Sequence, residues 1–335
     1  MTSTPIVAAT AFVTTAALVV PVILLLRRVG MLDRPTARSS HDRPTPRGGG
    51  LAIGVGALVA LAAADRLAGD PASGLVAAAG GIGFIGLVDD VRPVPALRRL
   101  FAQLVPAAVA LVWLLHGLHE SPVVGAVVVA SSLLWIVWFA NAFNFMDGIN
   151  GLAIAQVVVV GATWWIVGDS EGARVLETGG AIIGAAALAF APANSPRARA
   201  FLGDTGSYFL GSWIAAIAVL GLREGVAPEA VLAPLALFTV DPGFTLARRL
   251  ARRARWDEPH REHVYQRLVL LGWSHTRTTA LIAAMIVACA LLGSVSESGS
   301  DVARVLADVG IAAAVLTYLL MPGLVARTAT ARLSG

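Results

Sequence analysis

Repeated long apolar runs constrain the fold of this chain more than any other feature of its sequence. A bilayer core of about 30 Å requires roughly 17–25 apolar residues of each helix that crosses it. Of the 335 residues, 57% are hydrophobic and 14% are charged, against roughly 25% charged in soluble domains. We therefore predict an all-α, polytopic transmembrane bundle of about 10–11 spans, forming a single integral-membrane domain over residues 1–335. The candidate spans are 6–26, 50–68, 74–88, 100–116, 122–140, 151–168, 178–193, 207–221, 229–247, 278–293 and 303–322.

The arginine distribution orients these spans. All 25 basic residues are arginine, and with the N-terminus outside, all but four fall in the segments that would face the cytoplasm. The four exceptions are Arg66, Arg174, Arg223 and Arg304. Because cytoplasmic segments of membrane proteins are enriched in arginine and lysine, this separation predicts an N-terminus outside.

Two aspartate-bearing segments, GLVDDVRP (86–93) and FLGDTGS (201–207), fall on the predicted cytoplasmic side. Asp89 and Asp90 are adjacent acids at the end of a span, where ionisable groups are costly and indicate function. Two such acids stay ionised together when a cation lies between them, and Mg²⁺ prefers oxygen ligands. Asp204 precedes an apolar run whose helix N-terminus attracts phosphate. The alternatives are a solvated helix end paired with nearby arginines for the first segment, and a simple N-cap for the second.

A polar strip interrupts the apolar sequence at NAFNFMDGINGLA (141–153). Asn141, Asn144, Asp147 and Asn150 recur every three residues, a spacing that lines them along one face if the segment is helical. Amides and carboxylates together bind a nucleobase, sugar hydroxyls or a metal ion. A strip that joins helices by hydrogen bonds is the alternative interpretation.

The longest polar insert, 248–277, is a cytoplasmic basic loop with three candidate ligand residues. His260 and His263 flank Arg261, which favours contact with phosphate over a zinc site because no cysteine is nearby. Solvated loop histidines are the alternative. The following apolar stretch is expected to form a helix that stops at Gly272.

GIGFIG (81–86) formally matches a dinucleotide-binding fingerprint. The segment lies inside an apolar span and lacks the preceding strand that this fingerprint requires. We interpret its glycines as helix-packing residues.

The DD pair, the Asn/Asp strip, FLGDTGS and the histidine loop occur in this order on one predicted face. In that respect the sequence resembles the polyprenyl-phosphate N-acetylhexosamine-1-phosphate transferases over roughly residues 27–277. The resemblance implies transfer of N-acetylhexosamine-1-phosphate from a UDP-sugar to undecaprenyl or decaprenyl phosphate, with release of UMP. This reaction would be the first membrane step of cell-envelope polysaccharide synthesis, at the cytoplasmic face of the inner cell membrane.

The resemblance also implies roles and partners. Asp204 and Asn144 would ligate Mg²⁺, with Mn²⁺ as a substitute, and Asp89 and Asp90 would lie beside the lipid phosphate, Asp89 as base or positioning group. The remaining strip residues would bind the nucleoside, and the histidine loop the sugar diphosphate. Membrane lipid is a further expected partner, nucleic acid is not, and a homodimer stays open. The residues assigned to substrate binding are Asn141, Asp147, Asn150, His260, Arg261 and His263.

Two departures bear on the substrate. Asn150 stands where many bacterial members carry aspartate, although eukaryotic relatives have asparagine there. The loop HREHVYQRL (260–268) differs from the histidine-rich form of the muramoyl-pentapeptide branch and favours UDP-GlcNAc or a 6-deoxy-N-acetylhexosamine donor. The alternative function is a transporter or flippase of lipid-linked sugar, which would place its charges near the bilayer midplane.

Overall fold

The computed structural model describes residues 2–35, 43–255, 258 and 260–333, and these form helices joined by short connections. A two-residue antiparallel hairpin pairs β1 (Leu32–Asp33) with β2 (Thr45–Pro46). The helices are α1 (Thr4–Arg28), α2 (Gly50–Ala62), α3 (Asp70–Leu75), α4 (Gly81–Val91), α5 (Ala96–Leu114), α6 (Pro122–Met146), α7 (Leu152–Glu171), α8 (Arg174–Asn194), α9 (Gly203–Arg223), α10 (Pro228–Leu232), α11 (Ala236–Ala251), α12 (Val264–Leu270), α13 (His275–Ser298) and α14 (Asp301–Leu333).

Ten helical passes within the described residues are long and apolar enough to cross a membrane, which confirms the predicted all-α bundle. A π-helical turn, Val76–Gly80, joins α3 and α4 into one pass, and a 3₁₀ turn, Ala233–Leu235, joins α10 and α11 into another. The predicted span 50–68 is helical only over α2, whose 13 residues extend about 20 Å. α2 is thus shorter than a bilayer core, although it still connects the two ends of the bundle.

Contacts between loops define the two ends. At one end, the backbone N–H of Thr2 donates to Asp65 at 2.9 Å, and Arg304 pairs with Glu229 at 3.0 Å. The polar signatures from the sequence meet at the opposite end, where Asn144 donates to Asp204 at 2.9 Å. The structure therefore gathers these signatures at one end of the bundle. That this end faces the cytoplasm stays a prediction from the arginine distribution.

α9 forms the centre of the bundle. Almost every residue from Gly203 to Gly221 is buried, in contrast to α14, whose surface is largely exposed. α4, α6 and α8 pack against α9. Because α9 begins at the polar end, its buried position fixes where its first turn lies.

Two glycines allow neighbouring helices to approach that first turn closely. A Cβ atom on Gly86 of α4 would lie 2.2 Å from the carbonyl oxygen of Asp204, and one on Gly50 of α2 would lie 2.2 Å from Cα of Gly206. Neither contact leaves room for a larger residue. The glycines of GIGFIG therefore serve helix packing, as the sequence predicted.

Candidate active site

Asp90 closes the N-terminus of α9 from the end of α4. Its carboxylate accepts the backbone N–H groups of Asp204 and Thr205, each at 2.9 Å, and the Thr205 hydroxyl at 2.7 Å. Arg47 adds Nε as a fourth donor at 2.8 Å, and the Asp90 side chain has no exposed surface. The first N–H groups of a helix lack partners within it, so a buried carboxylate here satisfies them and benefits from the helix dipole. Asp90 therefore holds the start of α9 in place.

Asp89 has different partners. One of its oxygens accepts the backbone N–H of Val94 at 2.6 Å, and the other accepts Nη1 of Arg99. Its side chain is almost fully buried. The two adjacent acids thus have separate partners. Asp89 pairs with Arg99, and Nη1 of Arg99 also lies 4.0 Å from Oδ2 of Asp204.

Asp204 lies where these interactions meet. Its Oδ1 accepts the Asn144 amide at 2.9 Å, and its Oδ2 lies 2.9 Å from Nη2 of Arg47 and 4.0 Å from Nη1 of Arg99. The Asn144 amide also donates to Ser207 at 2.8 Å, so its oxygen remains for another partner. Asp204 keeps 15% of its side chain exposed, more than Asp89 or Asp90, and so is the most open of the three acids.

The predicted helical strip is helical only in its first half. Asn141 and Asn144 lie on α6, whereas Asp147 follows the last residue of the helix and Asn150 lies in the turn before α7. The condition for one continuous helical face is therefore met only up to Met146, where the chain leaves the helix. Asn141 donates to Gln103 at 2.6 Å, and Asn150 donates to the carbonyl of Pro196 at 3.0 Å.

A polar cavity of about 260 Å³ brings together the second half of the strip and Asp204. Burial and the neighbouring Asp204 raise the pKa of Asp147 well above its ordinary value. Among the residues that the structure describes, the Asp147 carboxylate has no hydrogen-bond or ion-pair partner and is available to a ligand, whereas the Asp147 backbone N–H donates to the carbonyl of Asn144. The lining consists of Asp33, Arg47, Asn144, Asp147, Gly148, Ile149, Asn150, Asn194, Phe201, Gly203 and Asp204.

A second cavity, of about 730 Å³, lies on the other side of Arg99 and is mainly apolar. Its walls include Phe145 and Leu250, which are exposed residues of membrane-spanning passes. Arg99 and Asn141 contribute its polar groups near the acids. Since Arg99 contacts Asp89 and approaches Asp204, the two cavities adjoin at this cluster.

The predicted histidines line the apolar cavity rather than the polar one. His263 is buried, and the His260 ring centroid lies 5.1 Å from that of His263. Burial and the neighbouring His263 lower the pKa of His260 to about 4, so this ring is neutral at physiological pH. Arg261 is partly exposed between them. The structure therefore places His260 and His263 in a different cavity from Asp147 and Asn150, although His275 of the same loop accepts the backbone N–H of Asn150 at 3.4 Å.

Two arginines of the site were not among the predicted site residues. Arg47 follows β2 in PTPRGGG, and its backbone N–H donates to Met31 at 3.1 Å across the hairpin. Arg99 is one of the nearby arginines that the alternative interpretation pairs with the DD segment. The glycine run after Arg47 was the available signal, because it allows the backbone to approach α9 closely.

The donor atoms at this cluster fit a magnesium ion. Asp204, Asp147 and the free oxygen of Asn144 are oxygen ligands beside the polar cavity, and Mg²⁺ needs few protein ligands because it keeps several waters. Within the described ranges, no three histidine, cysteine, aspartate or glutamate side chains already form a metal cluster. Arg47 instead bridges Asp90 and Asp204, which marks the position as one that favours a cation.

Fold and site together define a class: a polytopic membrane protein with a cluster of acidic residues and arginines at one end of its bundle. Comparison with known proteins narrows that class. The sequence model of glycosyl transferase family 4 matches residues 72–222. A decaprenyl-phosphate N-acetylglucosaminephosphotransferase of Mycobacterium tuberculosis is 32% identical, over 89% of this chain and 84% of the relative.

Two further relatives carry related names. A probable undecaprenyl-phosphate N-acetylglucosaminyl 1-phosphate transferase of Bacillus subtilis is 28% identical over 80% of this chain and 78% of the relative. An undecaprenyl-phosphate alpha-N-acetylglucosaminyl 1-phosphate transferase of Escherichia coli is 27% identical over 80% of this chain and 76% of the relative. The chain belongs to the polyprenyl-phosphate N-acetylhexosamine-1-phosphate transferase family, as the resemblance indicated.

Proposed function

We propose that this protein transfers N-acetylhexosamine-1-phosphate from a UDP-sugar to polyprenyl phosphate, giving a polyprenyl-diphosphate sugar and UMP. The observation that carries this proposal is that Asp204 and Arg47 line the polar cavity, whereas the apolar cavity is lined by Arg99, whose Nη1 lies 4.0 Å from Asp204. A reaction that joins a water-soluble phosphate ester to a lipid phosphate needs this arrangement.

The polar cavity is the donor side. Asp147 and Asn150 offer a carboxylate and an amide at its wall, groups that recognise a nucleoside by hydrogen bonding. Arg47 lies in the same wall with 41% of its side chain exposed, and so faces the position of a diphosphate. An arginine binds two phosphate oxygens at once through its planar fork of donors.

The apolar cavity is the acceptor side. Its wall is mainly apolar and includes exposed residues of membrane-spanning passes, so a prenyl chain can enter it from the lipid phase. Arg99 lies at the polar end of that wall and provides the cation for the lipid phosphate. Either undecaprenyl or decaprenyl phosphate is compatible with these features.

The reaction forms one phosphorus–oxygen bond and breaks another. An oxygen of the lipid phosphate attacks the sugar-linked phosphorus of the donor, and the bond to the bridging oxygen of UMP breaks. The lipid phosphate is ionised near neutral pH, so the main barriers are repulsion between anions and alignment. Arg47 and Arg99 offset that repulsion from the two sides, and Asp89 orients Arg99 or accepts a proton.

We further propose that the site holds Mg²⁺, or Mn²⁺ in its place, through Asp204 and Asn144 with Asp147 nearby. When bound, the ion supplies positive charge to the diphosphate oxygens. Asp90 is a positioning residue in this scheme, because its four donors leave no carboxylate oxygen free for a ligand.

The site is proposed to face the cytoplasm of the inner cell membrane, where UDP-sugars are made, and the product to start a cell-envelope polysaccharide. UDP-GlcNAc is the first donor to test, followed by 6-deoxy-N-acetylhexosamine donors. A homodimer is compatible with the exposed apolar surface of α14.

The test is UMP release by purified protein in detergent, with polyprenyl phosphate, Mg²⁺ and a panel of UDP-N-acetylhexosamines. We expect UMP and a lipid-linked sugar in equal amounts with at least one donor, and none from Asp204→Asn. Folded protein that releases no UMP with any donor contradicts the proposal.

A further inference from the structure

A fourth buried acid, Asp241, lies outside the cluster around Asp204. It occupies α11, directly before Pro242, and has no exposed surface. Removing a carboxylate from water costs several kcal/mol unless charged or polar partners replace the lost hydration. The contacts of Asp241 should therefore show which groups replace its lost hydration.

Four donors from three parts of the chain converge on Asp241. Its Oδ1 lies 3.0 Å from Nδ1 of His263 and accepts the Thr245 hydroxyl at 3.1 Å. Its Oδ2 accepts the backbone N–H of Val264 at 3.0 Å and the Tyr318 hydroxyl at 2.7 Å. Tyr318 belongs to α14, so the carboxylate joins α11, α12 and α14 at one point.

These contacts determine which nitrogen of His263 carries a proton. An ionised carboxylate can only accept hydrogen bonds, so with Asp241 ionised the 3.0 Å contact requires the proton to be on Nδ1. Nε2 is then the atom left for a ligand. His263 also lines the apolar cavity, in which Arg99 is the arginine nearest to the acids.

Aromatic neighbours restrict the orientation of the same ring. Phe145 and Tyr265 stack on His263 with ring centroids 6.1 and 5.9 Å away and interplanar angles of 22° and 8°. Tyr265 is itself held by a 2.9 Å hydrogen bond to the carbonyl of Phe145. Hydrogen bonding and stacking together leave the ring little freedom to flip.

We infer that Asp241 is a positioning residue for the transfer reaction: it holds His263 in the Nδ1-protonated form so that Nε2 faces the lipid phosphate in the acceptor cavity. The identity of that ligand rests on the proposed function. The dyad itself does not, because its geometry is a property of the protein alone. Through its hydrogen bond to Asp241, Tyr318 connects the dyad to α14, which lies outside residues 72–222, the segment that the family model matches.

A role limited to folding is the competing explanation. The carboxylate joins three helices, and Asp241→Asn would then lower stability and activity together, irrespective of His263. The proposal requires instead that the effect of Asp241 on turnover passes through His263. This difference is measurable as non-additivity in a double-mutant cycle.

The kinetic test compares wild-type protein with Asp241→Asn, His263→Gln and the double variant, at saturating UDP-sugar with polyprenyl phosphate varied. We expect Asp241→Asn to lower kcat by roughly 10–100-fold, the range for residues that orient a functional histidine. In the His263→Gln background, Asp241→Asn should lower kcat by less than about twofold. Equal losses in both backgrounds would overturn the proposal.

Tyr318→Phe is the matched control, because it removes one donor from the same carboxylate without touching His263. We expect its kcat to stay within about threefold of wild type, because the 3.0 Å contact between Oδ1 of Asp241 and Nδ1 of His263 remains in place. A loss as large as that of Asp241→Asn would identify a packing role instead.

Nitrogen-15 NMR of labelled histidine in nanodiscs tests the dyad without any turnover. His263→Gln identifies the His263 signal, and wild-type protein should show a protonated Nδ1 on this ring. A neutral ring protonated only on Nε2 would overturn the proposal even if the Asp241 variant failed to fold. If the spectrum is as expected but no UMP forms with any donor, the proposed function fails and the dyad stands.

Discussion

Asp89 and Asp90 are indistinguishable as a sequence pair, yet the structure gives them different environments. Both carboxylate oxygens of Asp90 accept hydrogen bonds from the start of α9 and from Arg47, whereas Asp89 pairs with Arg99 at the acceptor cavity. The sequence predicted these acids and Asp204 on one face, and in the structure Asp90 accepts the backbone N–H of Asp204 while Asp89 shares Arg99 with it. It could not separate them, because the donors that distinguish Asp90 include backbone groups of α9 that lie 114 and 115 positions further along the chain.

Asp90 and Asp204 are expected to differ in how much each contributes to the stability of the fold. Asp90→Asn is expected to lower the free energy of unfolding by roughly 1–3 kcal/mol, because buried donors at the α9 terminus lose an acceptor. Asp204→Asn should melt close to wild type and yet be inactive, since Asp204 is more open and holds ligand. Thermal unfolding in detergent, followed beside UMP release, provides the measurement. Equal melting temperatures for wild type and both variants would contradict this assignment.

Asp147 predicts a pH dependence of stability. Its pKa is raised by burial and by Asp204, so the charged form is disfavoured in the folded protein. The stability that protonation contributes is present below the unfolded-state pKa and is lost as pH rises through the raised folded-state pKa. Asp147→Asn should therefore melt above wild type at pH 8 by about a few degrees, with little difference at low pH.

The Asp147 measurement requires chelator, because a bound cation would relieve the same cost. Glu171→Gln, at the exposed far end of α7, is the matched control and should show no such trend. A melting difference between Asp147→Asn and wild type that is independent of pH would show that the carboxylate is not destabilised by ionisation.

Among the elements, α9 carries the site and its neighbours position it. The sequence identified α9, its apolar length and its polar start. It did not show that the NAFNFMDGINGLA segment leaves its helix at Met146, because periodicity of three is the same for a helix and for a helix followed by a turn. Nor did it show Arg47 reaching Asp204, since that contact depends on a hairpin of two short strands.

Close approach of α4 to α9 should be essential. Gly86→Ala is expected to destabilise the protein by about 1–3 kcal/mol, because its Cβ would overlap the Asp204 backbone. A displacement of about 1 Å at that backbone could lower kcat by roughly 100-fold. Gly80→Ala is the control on the same pass, since its nearest neighbour is a Val76 methyl at 3.9 Å.

UMP release and thermal unfolding measured on both glycine variants check this prediction. We expect Gly80→Ala to behave as wild type in both assays. If Gly86→Ala is also active and as stable as wild type, α4 does not position Asp204 in the way described.

At the scale of the whole molecule, sequence predicted the bundle and the gathering of its signatures at one end. It did not show which cavity the histidines line: His260 and His263 lie in the apolar one, and their contact with the sugar diphosphate stays a prediction. The loop places His263 against Asp241, an acid inside a helical pass that no motif singled out. Long-range packing decides such partnerships, and one sequence does not record it.

Orientation is testable with single cysteines, because the native Cys289 is buried and replaceable by alanine. Arg197→Cys lies at the site end and Glu171→Cys at the opposite end, and both positions are exposed. In intact cells, a membrane-impermeant maleimide should label the cysteine at 171 and reach the one at 197 only after permeabilisation. The reverse pattern would place the site outside.

The central claim is that two phosphorylated substrates meet at Asp204 and exchange a sugar phosphate. The most direct measurement uses a UDP-sugar radiolabelled at the sugar-linked phosphate, incubated with polyprenyl phosphate and divided between organic and aqueous phases. We predict that this phosphate enters the organic phase together with the sugar, that unlabelled UMP appears in the aqueous phase, and that Asp204→Asn abolishes both. Sugar that enters the lipid without the label, leaving labelled UDP behind, would contradict the account.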